Sequence, residues 1–229
     1  MEYISLMGKR YYIEKQMKLT HKLFILLVVS VLQIPFSSVY AQEKDAPFTI
    51  QLRTDRGELP MTFRVDKSNQ SVAVGFEEYN RPAIPIETKG EIFIPDSITT
   101  PDGRCLRVCW LSRGSFQCCQ DITKIHLAHT IESISDLAFQ GCKSLREITL
   151  PDSLQVIYPQ AFSGCDALRR IILRSPNPPK TYTEGTFEGS LFNRTTILIP
   201  YGSADKYRVD NLFSRFRYHA ELIPTYPGR

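Results

Sequence analysis

The sequence predicts an α/β solenoid, a right-handed coil of stacked repeats in which each 23-residue turn contributes one short parallel strand. Three features of the second half of the chain predict this fold class. Residues of the same type recur at an interval of 23, the recurring residues are apolar or small, and the charged positions between them vary freely. A period of about 20–50 residues is typical of solenoids, because each repeat buries its apolar side by stacking on its neighbours.

The recurring positions form five columns of similar side chains. They are Phe116, Phe139 and Phe162; Cys119, Cys142 and Cys165; Ile125, Ile148 and Ile171; Leu127, Leu150 and Leu173; and Leu111, Ile134 and Ile157. Small residues stand directly before the phenylalanines, at 115, 138 and 161, which allows the coils to pack closely. We interpret the phenylalanine and cysteine columns as structural.

Each repeat is predicted to begin with a half-buried strand, because Ile125 and Leu127 alternate with polar neighbours. Strands at the same phase of successive repeats stack in parallel, and the remaining residues of each turn form a right-handed crossover. We predict five such strands, centred on Ile92, Ile125, Ile148, Ile171 and Ile197. Additional residues around 99–104 predict a hairpin-like insertion.

An open stack exposes apolar coil ends, so a cap is expected on each side of the repeats. Residues 42–90 contain three β-rich stretches, at 48–52, 61–65 and 71–76, and we predict an N-terminal β-hairpin cap there. The repeats are assigned to 91–200 and a C-terminal cap to 201–229. In that cap, Ser203 is predicted to begin a short helix that runs through Tyr207 and Leu212, before a last strand near 219–223. Four of its apolar residues are expected to cover the last coil: Tyr207, Leu212, Phe213 and Phe216.

Residues 1–41 are predicted to be a signal peptide. Lys18 and Lys22 precede the ten-residue apolar run 23–32, and the small residue Ala41 ends a cleavage sequence. A membrane-spanning helix needs roughly 18–20 apolar residues, so an uncleaved anchor is the less favoured alternative. Met17 begins a more typical signal, which leaves open whether residues 1–16 are translated. We expect export to the periplasm, the cell surface or the medium, with no membrane span after cleavage.

The charge balance excludes several classes of partner. The chain is 42% hydrophobic and 23% charged, which is ordinary for a folded protein. Its net charge of +4 falls to +1 once residues 1–41, with five basic and two acidic residues, are subtracted. Because basic and acidic residues are almost equal in number, we predict no nucleic-acid partner.

Phosphate-loop, nucleophile-elbow, zinc-protease and calcium-loop patterns are absent from the sequence, so we predict no cofactor, no metal and no enzymatic activity.

One repeat carries a resemblance to a known family. It reads Leu145-x-x-Ile148-x-Leu150-Pro151-x-Ser153-Leu154-x-x-Ile157-x-x-x-Ala161-Phe162-x-x-Cys165. This pattern resembles the BspA-like leucine-rich repeat family, and the segment Ile197–Tyr207 is similar to the family's terminal repeat. The resemblance covers roughly 91–229. It implies a secreted or surface-displayed bacterial protein without catalytic residues, in a family of which some members bind host matrix proteins or other cells.

The outward side chains of the predicted strands form the candidate binding surface, on the concave face of the sheet. One column alternates in charge through Glu91, Lys124, Glu147 and Arg170, which predicts a ladder of salt bridges. The next column exposes apolar residues, which suit either an interaction patch or a surface covered by a loop. The candidate binding residues are Phe93, Lys124, His126, Glu147, Thr149, Arg170, Ile172 and Leu198.

We expect the partner at this face to be a protein or a glycan, such as a host matrix or envelope component. The alternative is a structural component of the bacterial cell envelope with no ligand on the sheet face. The two hypotheses differ in whether changes on this face abolish binding.

The six cysteines allow more than one arrangement. Neighbouring strands lie about 4.8 Å apart, so one disulfide within the Cys119 column is geometrically possible, although free buried thiols are the simpler interpretation. Export makes a bridge from Cys118 to Cys105 or Cys109 plausible. A zinc site among these cysteines has unfavourable spacing. A nucleophilic pair of Cys119 and His126 is disfavoured, because a reactive thiolate needs an accessible site.

Overall fold

The computed structural model describes residues 46–54, 56–66, 70–76, 81–182 and 185–222. Residues Pro47–Arg229 form one compact unit. The predicted signal peptide at 1–41 lies outside the described residues, and so does the end of the predicted C-terminal cap. The predicted boundaries at 91 and 201 fall within the compact unit and stay predictions.

The described part of the chain is mostly short strands with few helices. In chain order the strands are β1 (Phe48–Thr54), β2 (Gly57–Val65), β3 (Ser71–Val74), β4 (Gly90–Phe93), β5 (Ser97–Thr99), β6 (Cys105–Leu111), β7 (Ile122–His126), β8 (Ser133–Ile134), β9 (Glu147–Leu150), β10 (Val156–Ile157), β11 (Arg170–Leu173), β12 (Lys180–Thr181), β13 (Thr196–Pro200) and β14 (Tyr218–Leu222). The helical segments are the 3-10 turns Gly189–Asn193 and Phe213–Arg215 and the α-helix α1 (Ala204–Val209).

The main sheet contains the strands predicted from the sequence. Its order is β4-β7-β9-β11-β13-β14, and neighbouring strands run parallel. Ile125, Ile148, Ile171 and Ile197 lie side by side in register, and all four are fully buried. The predicted column is therefore a row of aliphatic side chains on the inner face of this sheet. The strand β14 continues the sheet beyond β13, close to the predicted position at 219–223.

The structure contains a second sheet that the sequence did not predict. Its order is β1-β2-β3-β6-β8-β10-β12, with β5 paired to β6. From β3 to β12 the strands along this path run parallel. The prediction of one strand per coil is thus wrong, since the coils also carry two-residue strands such as β8 and β10. A pair of residues is too short to show the period-two alternation that identifies a strand in a sequence.

The N-terminal segment and the insertion both contain antiparallel strand pairs. The strands β1 and β2 form the predicted hairpin, but β3 pairs antiparallel with β2 and parallel with β6. The hairpin is therefore continuous with the second sheet. The insertion around 99–104 is a hairpin as predicted, with β5 antiparallel to β6 and Thr99 opposite Cys105.

The phenylalanine column forms a stack on the return side of the coils. Ring centroids are 5.5 Å apart from Phe116 to Phe139, 5.1 Å from Phe139 to Phe162 and 4.9 Å from Phe162 to Phe187. The backbone N–H of each of the first three donates to the carbonyl of the small residue in the next coil, at 2.7–3.0 Å. Those small residues are fully buried: Ala138, Ala161 and Thr186. Their size lets adjacent backbones approach to hydrogen-bond distance.

The cysteine column runs beside this stack with its thiols intact. All six cysteines are free, so neither the bridge within the column nor one from Cys118 to Cys105 or Cys109 is formed. The thiols of Cys142 and Cys165 each donate to a phenylalanine carbonyl of the preceding coil at 3.2 Å. Burial raises the pKa of Cys165 and of Cys119 to about 12. These thiols remain protonated and unreactive at neutral pH.

The C-terminal segment differs in detail from its prediction. The helix α1 ends at Val209, and Leu212 directly precedes a separate 3-10 turn. Ser203 makes no side-chain cap to this helix, because its hydroxyl donates to the Pro200 carbonyl instead, at 2.6 Å. The four apolar residues predicted to cover the last coil are all buried: Tyr207, Leu212, Phe213 and Phe216. The rings of Phe213 and Phe216 meet Phe187 edge-on, so the parallel stack ends there.

Because the coils approach closely at one glycine and not at another, we predict that substitution by alanine destabilises the protein by different amounts at the two positions. Gly164 and Gly202 both have positive φ, +70° and +75°. An added Cβ at Gly164 would lie 3.3 Å from the Gly141 backbone, whereas at Gly202 it would meet nothing within 4 Å. Gly202→Ala should cost about 1–2 kcal/mol from the left-handed backbone alone. Gly164→Ala should cost at least about 1 kcal/mol more from crowding. Urea unfolding measures both, and equal losses would contradict the close packing of coils at Gly164.

Thiol accessibility gives a second prediction. Cys105 and Cys118 are exposed, and the other four cysteines are buried. In the native chain without reductant, Ellman's reagent should modify two thiols rapidly, and all six after unfolding in urea. Cys118→Ser should remove one rapid equivalent, whereas Cys142→Ser should remove only a slow one. Fewer than six thiols in urea would reveal a disulfide, and more than two rapid thiols would show that at least one of the four buried thiols is accessible.

Candidate functional site

The main sheet presents a charged row on its outer face. The register places Glu91 beside Lys124, Lys124 beside Glu147, and Glu147 beside Arg170. Glu147 binds both cationic neighbours, with Oε1 3.0 Å from Lys124 Nζ and Oε2 2.5 Å from Arg170 Nη2. Its side chain is only 13% exposed, so the central carboxylate is well shielded from water. Much of the predicted ladder is present, and its charges neutralise one another.

The first rung of the ladder is different from the prediction. Glu91 is hydrogen-bonded to His126, whose Nε2 lies 3.0 Å from Glu91 Oε2, and no ion pair between Glu91 and Lys124 is found among the described residues. This hydrogen bond is the main reason that the pKa of Glu91 lies below its usual value. The sequence pattern placed these residues in adjacent columns, but it could not show that the imidazole reaches diagonally to the carboxylate.

A stacked pair of rings stands at the β4 end of the second outward row. The rings of Phe93 and His126 are 4.1 Å apart and nearly parallel, at 3°. Phe93 is 55% exposed, which is high for a large apolar side chain on a sheet. Because the imidazole is held by Glu91, the phenylalanine ring rests on a fixed support. The pair is an exposed aromatic platform in a defined orientation.

The remainder of this row becomes less exposed along the sheet. Thr149, Ile172 and Leu198 follow His126 in register, and each is half-buried. Ile172 and Leu198 are therefore less exposed than Phe93, between the two alternatives of an open patch and a covered surface. On a twisted sheet of short strands, neighbouring side chains cover one another, and the sequence does not show how much. The row still forms a continuous strip that runs from an aromatic to an aliphatic end.

Tyr218 belongs to the same face but was not among the predicted residues. It is 46% exposed and lies opposite Thr196, which in turn lies opposite Arg170. The strand prediction began one residue later, at His219, so Tyr218 fell outside it. The charged row of Lys124, Glu147 and Arg170 therefore continues through Thr196 to a second exposed aromatic residue, Tyr218, at the β14 edge.

The other candidate chemistries find no assembled site in the described ranges. No group of three or more His, Cys, Asp and Glu side chains there could hold a metal ion. Cys119 is buried with its thiol 4.0 Å from the Gln117 carbonyl, while His126 is bound to Glu91. The two halves of the disfavoured nucleophilic pair thus have other partners. Nor does any helix in those ranges have the length and apolar character to span a membrane.

Solved structures similar to this chain include three bacterial leucine-rich repeat proteins. A leucine-rich repeat protein from Bacteroides capillosus ATCC 29799 is 24% identical, with a TM-score of 0.44 over 58% of this chain and 87% of its own. A leucine rich cell surface protein from Faecalibacterium prausnitzii A2-165 is 17% identical, with a TM-score of 0.43 over 78% and 44%. A leucine-rich repeat protein from Bacteroides ovatus ATCC 8483 is 18% identical, with a TM-score of 0.40 over 72% and 52%. The chain thus spans about half the length of the latter two proteins.

The repeats also match a protein-family model. It describes a BspA type leucine rich repeat region and matches residues 110–204 in six copies. No curated protein matches the chain. The matched residues include the phenylalanine and cysteine columns and the strands β7 to β13. Residues 110–204 are therefore similar to the BspA type of leucine rich repeat, the family that the sequence resembles.

Proposed function

We propose that this protein is an exported, non-enzymatic binding module that holds a protein ligand on the outer, concave face of the main sheet. The proposal includes a right-handed solenoid of 23-residue coils, closed by a cap at each end. The ligand is an envelope protein of the producing bacterium or a host matrix protein, as in adhesion. The observation that carries the proposal is the exposed Phe93 ring, stacked on His126 beside a neutralised row of charges.

The chemistry of the face favours protein over other ligands. Protein interfaces are built around aromatic anchors with a polar rim, and charged groups that remain unpaired oppose burial. Here Lys124 and Arg170 are already paired with Glu147, so covering them does not leave an isolated charge. The row beside them supplies an aromatic ring followed by aliphatic side chains. Such a face offers few free donors to a glycan and no net positive field to a nucleic acid.

The absence of an activity is supported by the cysteines and histidine already described. Burial raises the pKa of Cys119 to about 12, so its thiol is not a nucleophile at neutral pH. His126 is hydrogen-bonded to Glu91 and covered on one side by Phe93. The states of Cys119 and His126 therefore support a binding role for this face over a catalytic one.

Export is supported by the sequence features at 1–41 and by the family resemblance. A basic segment, a ten-residue apolar run and a small residue at Ala41 form the pattern of a cleaved signal. A surface location would place the sheet face in contact with host proteins, and a periplasmic location would place it in contact with envelope proteins.

Two single substitutions test the binding face. The full chain is immobilised and probed with purified host matrix proteins and with an envelope extract of the producing bacterium. A ligand that binds the wild type should bind Phe93→Ser about 30-fold more weakly, the loss typical of an interface anchor. Val209→Ser is the matched control, because Val209 is 81% exposed but lies on α1. It should bind as the wild type does.

A charge-reversal variant adds a second arm to this experiment. Lys124→Glu with Arg170→Glu leaves four carboxylates in neighbouring register positions, two introduced and two native at Glu91 and Glu147, and we expect binding to be lost. Circular dichroism establishes that each variant is folded. A ligand that binds all folded variants equally would contradict the proposal and favour a structural role in the envelope, with contacts at the caps and edges.

A further inference from the structure

We propose that a groove on the outer face of the second sheet is a binding site for a neutral saccharide. The groove has a volume of about 460 Å³. This lies within the range of roughly 300–1,000 Å³ that is typical of ligand sites. It crosses the strands from β2 to β8 and reaches Tyr158, which follows β10. The site is separate from the proposed protein-binding face, which lies on the main sheet.

The register of the second sheet explains why a groove forms here. Ala73 lies between Arg64 and Trp110 in the sheet, and Ser133 lies on the other side of Trp110. Small side chains at 73 and 133, with serines at 112 and 135, leave space between the larger residues. Arg64, Trp110 and Tyr158 are among the large side chains that line the groove. The groove is therefore a product of residue size across neighbouring strands.

A β-bulge brings Trp110 to this face. The pairing of β3 with β6 advances from Val72–Val108 to Ala73–Trp110, so Cys109 is an additional residue on β6. Bulges re-aim the side chains that follow them and are frequent beside binding sites. Cys109 is buried, whereas Trp110 is half-buried and lines the groove. The irregular strand thus places a large amphipathic ring at the surface.

A second aromatic element extends the wall. Tyr158 stacks on Tyr182 with ring centroids 5.3 Å apart and planes at 21°. Tyr182 is 42% exposed, and Lys180 Nζ lies 5.6 Å from its ring centroid. Rings that are held by stacking keep their orientation when a ligand binds, which reduces the entropy cost of binding. Their faces suit the C–H surfaces of a pyranose ring.

Several polar groups in the groove have unused hydrogen-bonding capacity. Over the described ranges, the side chains of Arg113 and Asp136 have no hydrogen-bond or ion-pair partner, although both line the groove. The same is true there of the indole N–H of Trp110 and the hydroxyl of Tyr158. A guanidinium group donates and a carboxylate accepts, so together they complement hydroxyl groups, which do both. This differs from the main sheet, where the charges satisfy one another.

The balance of charge indicates a neutral ligand. Two arginines, Arg64 and Arg113, and two aspartates, Asp66 and Asp136, line the groove, so its formal charge is zero. A strongly charged ligand would meet as many repulsive as attractive groups. A ligand with apolar C–H faces and many hydroxyl groups matches the aromatic wall and the free donors and acceptors together. Neutral oligosaccharides have this combination.

The only tryptophan of the sequence makes the proposal directly measurable. The full chain is titrated with cellotetraose, maltotetraose, mannotetraose and tetra-N-acetylchitotetraose up to about 10 mM, a range that detects a millimolar Kd. At least one should change Trp110 fluorescence saturably. Asp136→Asn and Arg113→Gln should each weaken that binding about tenfold or more, as expected when a charged hydrogen bond is lost. Neither side chain has a protein partner in the described residues, so both variants should fold normally.

Phe93→Ser is the matched control, because it alters the main-sheet face only. It should leave saccharide binding unchanged, just as Asp136→Asn should leave protein binding unchanged. Failure of this proposal is thus distinguishable from failure of the proposed function. The saccharide proposal is overturned if calorimetry and fluorescence detect no binding of any of the four sugars. It is equally overturned if Asp136→Asn and Arg113→Gln bind as the wild type does, or if tetragalacturonate or a neutral tetrapeptide is preferred.

Discussion

The structure depends on one constraint, that every feature of a coil must recur at the spacing of parallel strands. The main-sheet strands are in register over four successive coils, and the phenylalanine rings repeat at 4.9–5.5 Å. This is close to the strand spacing of about 4.8 Å. A single displacement from one coil to the next therefore suits ring stacking, strand pairing and the hydrogen bonds between turns. A longer coil must place its additional residues outside the stacked rings and the main-sheet strands, as in the hairpin of β5 and β6.

Features that repeat could be predicted from the sequence, and features that depend on irregularity could not. The buried isoleucines and the phenylalanine stack follow from columns at a fixed interval, because only inward positions are held constant. The two-residue strand β8 has no detectable period, and at the start of α1 the hydroxyl of Ser203 donates to the Pro200 carbonyl instead of capping the helix. On the main sheet, the charge ladder was predictable from alternating signs, but the diagonal pair of Glu91 and His126 was not. The groove residues come from distant strands whose register no local pattern reveals.

The two sheets offer surfaces of opposite character on one framework. The main sheet carries charges that are paired and an apolar row headed by Phe93, which suits a partner that buries area. The second sheet carries small residues, aromatic walls and polar groups such as Arg113 and Asp136 that are not engaged by the described residues. Because the core is held by inward columns, outward positions on either sheet can change without disturbing the stack. This separation allows a repeat fold with a uniform interior to present different surfaces on its two sheets.

The central claim is that stability passes from each coil to its neighbour through the aligned rings. Two double-mutant cycles in urea unfolding test it. One combines Phe139→Leu with Phe162→Leu, whose rings are adjacent, and the other combines Phe116→Leu with Phe162→Leu, whose rings are two coils apart. We expect a coupling of about 0.5–1.5 kcal/mol for the adjacent pair. The separated pair should couple by less than about 0.5 kcal/mol. No coupling between Phe139 and Phe162, or equal coupling in both pairs, would contradict the account.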